Sequence, residues 1–281
     1  MNRLVAGIMA LCVSSVLLGG ASGQASASPN ANVVSSAETN TGPDIALQNW
    51  VNWIAAANSD FATWKGASVT CVLSEEDTAG GVSVWHVENE GRDLGYLVTA
   101  DQNRILLEYS SQTPPPIMQN RAGGVYRYAG PGMHLYQATG QPKWVNLSNG
   151  ETLPDGTPVA YRLPAGLKTA EDSVKTKPQQ AANVKQETFQ TDLNPDRGVA
   201  VMISHGTGNS QPFSTQQLAD PQGGYLVYTA LPKDYYSVWA VQARYSLDSG
   251  LSFLQVQDVF AATKAPIYVP DELSVSWVAS K

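Results

Sequence analysis

The chain has little cysteine and little histidine. Its 281 residues include two cysteines and three histidines. Cys12 lies in an N-terminal apolar run that we expect to be removed, which leaves Cys71 without a partner for an internal disulfide. So few thiols and imidazoles give no spacing typical of a zinc site. We therefore predict no zinc site and no cofactor, assign no residue as a metal ligand, and expect a fold that depends on core burial.

Basic charge and long apolar runs are also scarce. The chain has 17 Lys and Arg against 24 Asp and Glu, a net charge of −7. Nucleic-acid-binding proteins need a basic footprint, so this balance argues against nucleic acid as a partner and against anionic membrane surfaces. Beyond Leu18 no apolar run is long enough to span a bilayer. We expect no stable membrane insertion once the N-terminal segment is cleaved.

The first 27 residues have the three parts of a secretory signal peptide. Arg3 supplies the positive start, Leu4–Leu18 the apolar run, and residues 25–27 the small-residue cleavage site. Cys12 lies inside the apolar run rather than at its end, which disfavours a lipid anchor. Residues 28–42 are rich in Ser, Asn, Ala and Thr and predict a flexible leader. The mature protein is therefore expected to be secreted, extracellular or associated with the cell wall.

One amphipathic helix is predicted over Pro43–Asn58. Its apolar residues recur at helical spacing and form one stripe. A helix with one apolar stripe needs an apolar surface to cover. The stripe consists of Leu47, Trp50, Val51 and Ile54.

Four strands of an antiparallel sheet are predicted after this helix. Each is an apolar run rich in β-branched or aromatic residues, and short loops of Asn, Asp and Gly separate the last three. In the first strand, period-two alternation places Val69, Cys71 and Leu73 on one face, so we expect Cys71 to be buried beneath the helix. The predicted strands are Ala67–Leu73, Gly81–Glu88, Leu94–Ala100 and Arg104–Ser110.

These elements predict an α+β fold with two domains. Residues 43–163 form a module with a helix on an antiparallel sheet, extended by short strands. Residues 164–186, rich in Lys, Thr, Gln, Ala and Glu, are predicted as a linker, and 187–281 as a mostly-β domain. Further strands are predicted at Val125–Tyr128, His134–Gln137, Trp144–Leu147, Val159–Leu163, Val199–Ser204, Tyr225–Ala230, Ser237–Tyr245, Ser252–Ala261 and Leu273–Val278.

No group of residues predicts catalysis. Cys71 and His86 are the sole mature Cys–His combination, and a thiol on an apolar face is inert. The glycine-rich stretch 203–208 resembles an esterase oxyanion loop, but the companion G-x-S-x-G elbow is absent from the sequence. His134 and His205 are isolated, which is typical of hydrogen-bonded surface histidines. Acids that could serve a glycosidase lie in turns, where carboxylates are usually solvated: Glu75, Glu76, Asp77, Glu88 and Glu90.

Calcium binding at Asp192–Asp196 stays open. The spacing of Asp192, Asn194 and Asp196 matches the first three ligand positions of a calcium-binding loop. However, Arg197 occupies the position that requires glycine, and Ile203 occupies the position that requires glutamate. An Asx turn explains the same residues.

Three stretches of the sequence resemble a known family of proteins: Gly95–Ser110, Tyr126–Gln137 and Val145–Glu151. Over residues 45–165 the chain resembles the N-terminal region of exported Gram-positive bacterial proteins. In those proteins this region precedes a papain-like peptidase domain, which is similar to bacteriocin-processing peptidases. That region is similar to the propeptides of streptopain-type cysteine proteases, which have a cystatin-like fold. A papain-like enzyme needs a cysteine nucleophile, and none follows Cys71. The resemblance therefore implies an accessory module without its enzyme and carries over no catalytic residue.

Three functions remain as hypotheses. The first is a non-catalytic exported protein that binds protein, as a propeptide-like or inhibitor-like partner of a protease. The second is a cell-wall glycan-binding protein, because the chain has seven Trp and twelve Tyr that could stack on sugars. The third is a secreted hydrolase of unrecognised type, which requires His205 to meet an acid and a hydroxyl in one pocket.

Overall fold

The computed structural model describes the chain from Ile45 onward, with gaps. The described residues are 45–75, 81–114, 124–156, 158, 161, 163, 167, 169, 184–198, 211–212, 223–231, 235–247, 250–261, 264–272 and 276–279. The predicted signal peptide, the leader, most of the linker, the strand Val199–Ser204 and the stretch 203–208 lie outside them. All described residues belong to one compact unit, Thr41–Lys281. No helix among them is long and apolar enough to cross a membrane.

Helix α1 spans Ile45–Ala57 and confirms the predicted apolar stripe. Leu47, Trp50, Val51 and Ile54 are all buried. A 3₁₀ helix, Ser59–Trp64, follows, and the Asn58 side chain caps it by accepting a hydrogen bond from the backbone N–H of Asp60.

Among the described residues, β-strands dominate and pair antiparallel throughout. Eleven strands form a large sheet in the order β1-β2-β3-β4-β13-β12-β11-β10-β14-β9, with β8 paired to β11, and three form a small sheet, β5-β6-β7. The strands are β1 Ser68–Ser74, β2 Ser83–Asn89, β3 Arg92–Ala100, β4 Ile105–Ser110, β5 Gly124–Tyr128, β6 His134–Ala138, β7 Val145–Asn146, β8 Val184–Thr188, β9 Gln211–Pro212, β10 Gly224–Leu231, β11 Tyr235–Leu247, β12 Ser252–Asp258, β13 Ile267–Pro270 and β14 Ser276–Ala279. The protein is therefore mostly β.

The large sheet runs across the predicted domain boundary. Strand β13 pairs with β4, bringing Tyr268 opposite Tyr109 and Ile267 opposite Ser110. Strands of the predicted N-terminal module and of the predicted C-terminal domain thus share one sheet. Part of the predicted linker is itself a strand, since β8 pairs with β11. Neither β8 nor β13 was predicted, because β8 lies in a stretch with the composition of a linker and because β13 follows Pro266 and ends at Pro270, residues that disfavour a strand inside a sheet.

Two parts of the prediction for β1 are wrong, the face on which Leu73 lies and the burial of Cys71. The β1–β2 register shifts between Cys71 and Leu73, so one extra residue interrupts the alternation. Val69 packs with the cluster beneath α1, whereas Val72 and Leu73 pack on the opposite face of the sheet. Cys71 is exposed, and its predicted place in the core beside Val69 and Leu73 was wrong.

The two faces of the large sheet carry different covers. On one face, α1 and the 3₁₀ helix pack against residues such as Leu97, Tyr109 and Phe253. On the other face, Tyr126 and Tyr128 of the small sheet pack against the opposite side of β2, β3 and β4. Indole N–H groups fix the helical cover, because Trp50 donates to the Asn103 carbonyl at 3.0 Å and Trp64 to the Leu94 carbonyl at 3.1 Å.

Candidate functional site: a buried carboxylate, imidazole and tyrosine cluster

A second bulge turns a glutamate into the core. The β3–β4 register shifts between Val98 and Thr99, and Glu108 pairs with Val98. Alternation in the sequence predicts that Leu106 and Glu108 share a side, but Leu106 packs in the cluster under α1 while Glu108 faces the small sheet. Glu108 is fully buried, at 0 % exposure. A charged side chain is rarely found so deep without partners.

The Glu108 carboxylate accepts four hydrogen bonds. Oε1 accepts from the Tyr96 hydroxyl at 2.7 Å and from His134 Nε2 at 3.1 Å. Oε2 accepts from the Tyr128 hydroxyl at 2.8 Å and from the Gly132 backbone N–H at 2.9 Å. Four donors fill the acceptor sites of an ionised carboxylate, so this buried charge is satisfied.

His134, the first residue of β6, is equally buried. Its Nδ1 lies 2.9 Å from the Tyr126 hydroxyl. Because a carboxylate only accepts, Nε2 carries a proton toward Glu108. Tyr126 then donates to Nδ1 when the ring is neutral and accepts from it when the ring is charged. The prediction that His134 lies at the surface was wrong, because the ring faces Glu108 of the large sheet and is covered there.

The turn before β6 brings a backbone donor to the carboxylate. Gly132 has a φ of 65°, and a Cβ at this position would lie 2.5 Å from Cζ2 of Trp239. A residue without a side chain is therefore required for the turn to pack against Trp239 and present its N–H to Glu108.

Burial and charge act in opposite directions on Glu108. Burial favours the protonated acid, but the charge of His134 and the hydrogen bonds from His134, Tyr96 and Gly132 outweigh it, and the pKa of Glu108 is lowered. Burial, with the nearby carboxylate as a further cause, raises the pKa values of Tyr96 and Tyr128 well above the ordinary value. The cluster therefore holds one ionised carboxylate among neutral phenols.

Two further tyrosines lie close to Glu108. The pKa values of Tyr161 and Tyr228 are raised by burial first and by the Glu108 charge as well. Their rings flank Gly130, where a Cβ would lie 3.2 Å from Tyr228 and 3.8 Å from Tyr161. Neither hydroxyl has a hydrogen-bond partner among the described residues.

The chain of Tyr126, His134 and Glu108 has the order of a hydroxyl, imidazole and carboxylate triad. A catalytic triad presents its hydroxyl to substrate. Here Tyr126 is 8 % exposed, the other two are at 0 %, and burial raises the pKa of the Tyr126 hydroxyl. In this conformation the arrangement joins two sheets and offers no atom to a substrate.

The structure does not bring Cys71 and His86 together. Cys71 pairs with Trp85 whereas His86 pairs with Thr70, and adjacent pairs point to opposite faces. His86 Nε2 instead lies 3.1 Å from a carboxylate oxygen of Asp93. Partial burial raises the pKa of the Cys71 thiol although the residue as a whole is exposed, which disfavours the nucleophilic thiolate.

The calcium-like stretch forms two Asx turns. Oδ1 of Asp192 accepts the backbone N–H of Asn194, and Oδ1 of Asn194 accepts that of Asp196, both at 2.9 Å. Within the described ranges no group of three His, Cys, Asp or Glu is arranged to hold a metal ion.

The candidate acids are spread over several places. Glu75 accepts the backbone N–H of Tyr128 at 2.8 Å, so this carboxylate ties the end of β1 to β5. Glu88 is half-buried and Glu90 is exposed. Glu76, Asp77 and His205 lie outside the described residues.

The Trp and Tyr side chains that the structure describes are buried or half-buried. Trp50, Trp64, Trp144 and Trp239 are buried, and Trp53 and Trp85 are half-buried. The exposed large hydrophobic residues are Ile45, Val125 and Phe260. No Trp or Tyr side chain that the structure describes is exposed, so none of them forms a platform for sugar stacking.

No protein-family model, no curated protein and no solved structure matches this chain.

Proposed function

We propose that the protein is a non-catalytic exported binding protein that takes an extended segment of another extracellular protein along strand β1. The observation that carries this proposal is the character of β1. It ends the large sheet, and among the described residues it pairs with β2 alone. Its other edge presents backbone N–H and C=O groups of the kind that a peptide strand pairs with.

Strand β1 has few of the features that normally protect a sheet edge. Its sequence, SVTCVLS, contains no charged residue and no proline, and Ser68, Thr70 and Cys71 are exposed. Natural edges usually carry lysine, proline or inward charges against unwanted pairing. One bulge modifies β1, between Cys71 and Leu73. The four residues before the bulge, Ser68 to Cys71, form a short regular strand suited to peptide addition.

The sequence resemblance supports the same class of function. A helix packed beside the β1–β4 meander is the arrangement that a cystatin-like, propeptide-like module implies. On this proposal the partner is an extracellular protease or a similar protein, and the module acts as an inhibitor-like or propeptide-like partner. The burial of Tyr126, His134 and Glu108 argues against this cluster as the active site of a hydrolase, whereas His205, on which the hydrolase alternative depends, lies outside the described residues. The Trp and Tyr side chains that the structure describes offer no exposed ring for glycan binding.

The test is capture of extracellular proteins on the immobilised mature chain, with two charged variants. Thr70→Lys places a charge on the exposed edge of β1 and is expected to abolish capture. Thr63→Lys adds the same charge at an exposed position of the 3₁₀ helix and is expected to preserve it. Cross-linking of the captured protein should map to β1.

Three results would contradict the proposal. Equal capture by the wild type and Thr70→Lys would remove β1 as the site. Retention on purified peptidoglycan without protein capture would favour the glycan alternative. Hydrolysis of peptide, ester or glycoside substrates by the mature protein, lost on substitution of one polar residue, would favour an enzyme.

A further inference from the structure

The small sheet is attached to the large sheet through side chains. In the described part of the chain no backbone ladder joins the two sheets. Tyr126 and Tyr128 supply apolar contact with β2, β3 and β4. Among the polar links, Glu108 has the most donors, because its carboxylate accepts three hydrogen bonds from the small sheet and its turn, from Tyr128, Gly132 and His134. One charged group thus holds both ends of the turn between β5 and β6.

We propose that Glu108 is an acid-operated clamp: its ionised carboxylate holds the small sheet on the large sheet, and protonation releases the small sheet before the large sheet unfolds. A protonated acid must donate its own proton and can no longer accept from all four donors. His134, if charged, then loses the countercharge that compensates its burial. This inference concerns a different part of the molecule from β1 and stands without the proposed function.

The other titratable groups around the clamp do not replace it. Tyr96 faces Glu108 from β3, Tyr126 and Tyr128 face it from β5, and Tyr228 faces it from β10, with Tyr161 beside them. Burial raises the pKa of each of these phenols, so all stay neutral in acid.

Two titratable residues in β1 or just after it lie close to residues of β5. Glu75 accepts from the backbone of Tyr128, and both Glu75 and Cys71 are near enough to influence Tyr126. Cys71 stays a neutral thiol in acid, since its pKa is raised. The hydrogen bond from Tyr128 to Glu75 involves one backbone group of β5, whereas Glu108 accepts from four donors.

The direction of the pH effect follows from the lowered pKa of Glu108. A carboxyl group whose pKa is lowered by folding stabilises the folded form above its unfolded value, about 4.3 for glutamate. That stabilisation is lost as the pH falls through the lower folded value. Release of the small sheet is therefore expected below about pH 4, from the same reference value.

Hydrogen exchange on the full mature chain tests the clamp. Exposure times are scaled to the intrinsic exchange rate at each pH, so that protection alone is compared. As the pH falls, amides of β5 and β6 should lose protection by at least about tenfold while those of β11 and β12 keep theirs. Glu108→Gln should show the loss already at neutral pH, and Glu88→Gln, a change in a partly exposed strand residue, should behave as the wild type.

Simultaneous loss of protection in both sheets would overturn the proposal, and so would full protection of β5 and β6 in Glu108→Gln. Should Glu108→Gln fail to fold, Tyr128→Phe gives a separate test. It removes one donor to the carboxylate, which raises the pKa of Glu108, and release should move to higher pH. An unchanged release midpoint in Tyr128→Phe would also overturn the clamp.

Discussion

Glu108 and His134 belong to different sheets, yet Oε1 of one lies 3.1 Å from Nε2 of the other, and both side chains are at 0 % exposure. Burying such a pair costs desolvation, which the hydrogen bonds from two tyrosines and a backbone amide offset. The pair contributes more to the placement of the small sheet than to the free energy of folding, because the donors of the small sheet must lie within hydrogen-bond distance of the carboxylate. Removing one partner alone leaves the other buried without compensation.

A double-mutant cycle should show this coupling. Glu108→Leu is expected to lower the free energy of unfolding by about 3–5 kcal/mol, because buried donors lose their acceptor. Adding His134→Leu should cost much less than its effect in the wild type. Urea unfolding measures each variant, with Glu88→Leu as a half-exposed control. Strictly additive costs at 108 and 134 would show that the two residues do not act together.

The buried tyrosines predict a sharp alkaline transition. A tyrosine whose pKa is raised by folding stabilises the protein below its unfolded value, about 10, and that stability is lost as the pH rises toward the folded value. Tyr96, Tyr109, Tyr128 and Tyr228 all have pKa values raised well above normal. Tyrosinate absorbance should therefore rise together with loss of structure measured by circular dichroism. Independent titration of most tyrosines in a folded protein would contradict the burial described here.

Alanine substitutions at two glycines distinguish the cost of backbone strain from the cost of a steric clash. Gly132 and Gly140 have similar φ values, 65° and 76°, but an added Cβ meets Trp239 at Gly132 and open space at Gly140. Gly140→Ala should cost about 1 kcal/mol, the left-handed penalty. Gly132→Ala should cost about 1–3 kcal/mol more, because Trp239 or the turn must move. Thermal unfolding of the two variants gives the difference, and equal costs would show that the turn moves freely away from Trp239.

Cys71 should behave as a surface residue. A bulky thiol reagent is expected to label the native protein, at a rate slowed by the raised pKa of the thiol. Cys71→Ser should change the free energy of unfolding by no more than about 0.5 kcal/mol, as surface substitutions usually do. Labelling that requires denaturant, or a large loss of stability in Cys71→Ser, would place the thiol in the core after all.

Elements with an uninterrupted period could be predicted from the sequence. The apolar stripe of α1 spans about two turns, and alternation in β2 correctly separates Val84 from Trp85 and Val87. Alternation failed where a bulge adds one residue, after Cys71 in β1 and after Leu106 in β4. A bulge depends on the pairing of two strands, so the period within one strand does not contain it.

One residue of the buried cluster, Glu108, could have been noticed in the sequence, but period-two alternation assigned it to the wrong face of the sheet. A glutamate between Leu107 and Tyr109, inside an apolar strand, is unusual unless a partner is buried with it. The partner, His134, is 26 residues away in another sheet. Sequence spacing could not connect them, because the contact depends on how the small sheet packs on the large one.

Strand β13 has a consequence for how the chain folds. It lies between β4 and β12, and the Ser110 hydroxyl donates to the Pro266 carbonyl across 156 residues of sequence. Closing so long a loop costs chain entropy before the contact is gained, and proteins dominated by such pairings fold slowly. Until residues 267–270 arrive, β4 presents an open edge that can pair with other chains. A polypeptide truncated before β13 should therefore aggregate, even though it contains the helix, the meander and the whole buried cluster from Tyr96 to His134.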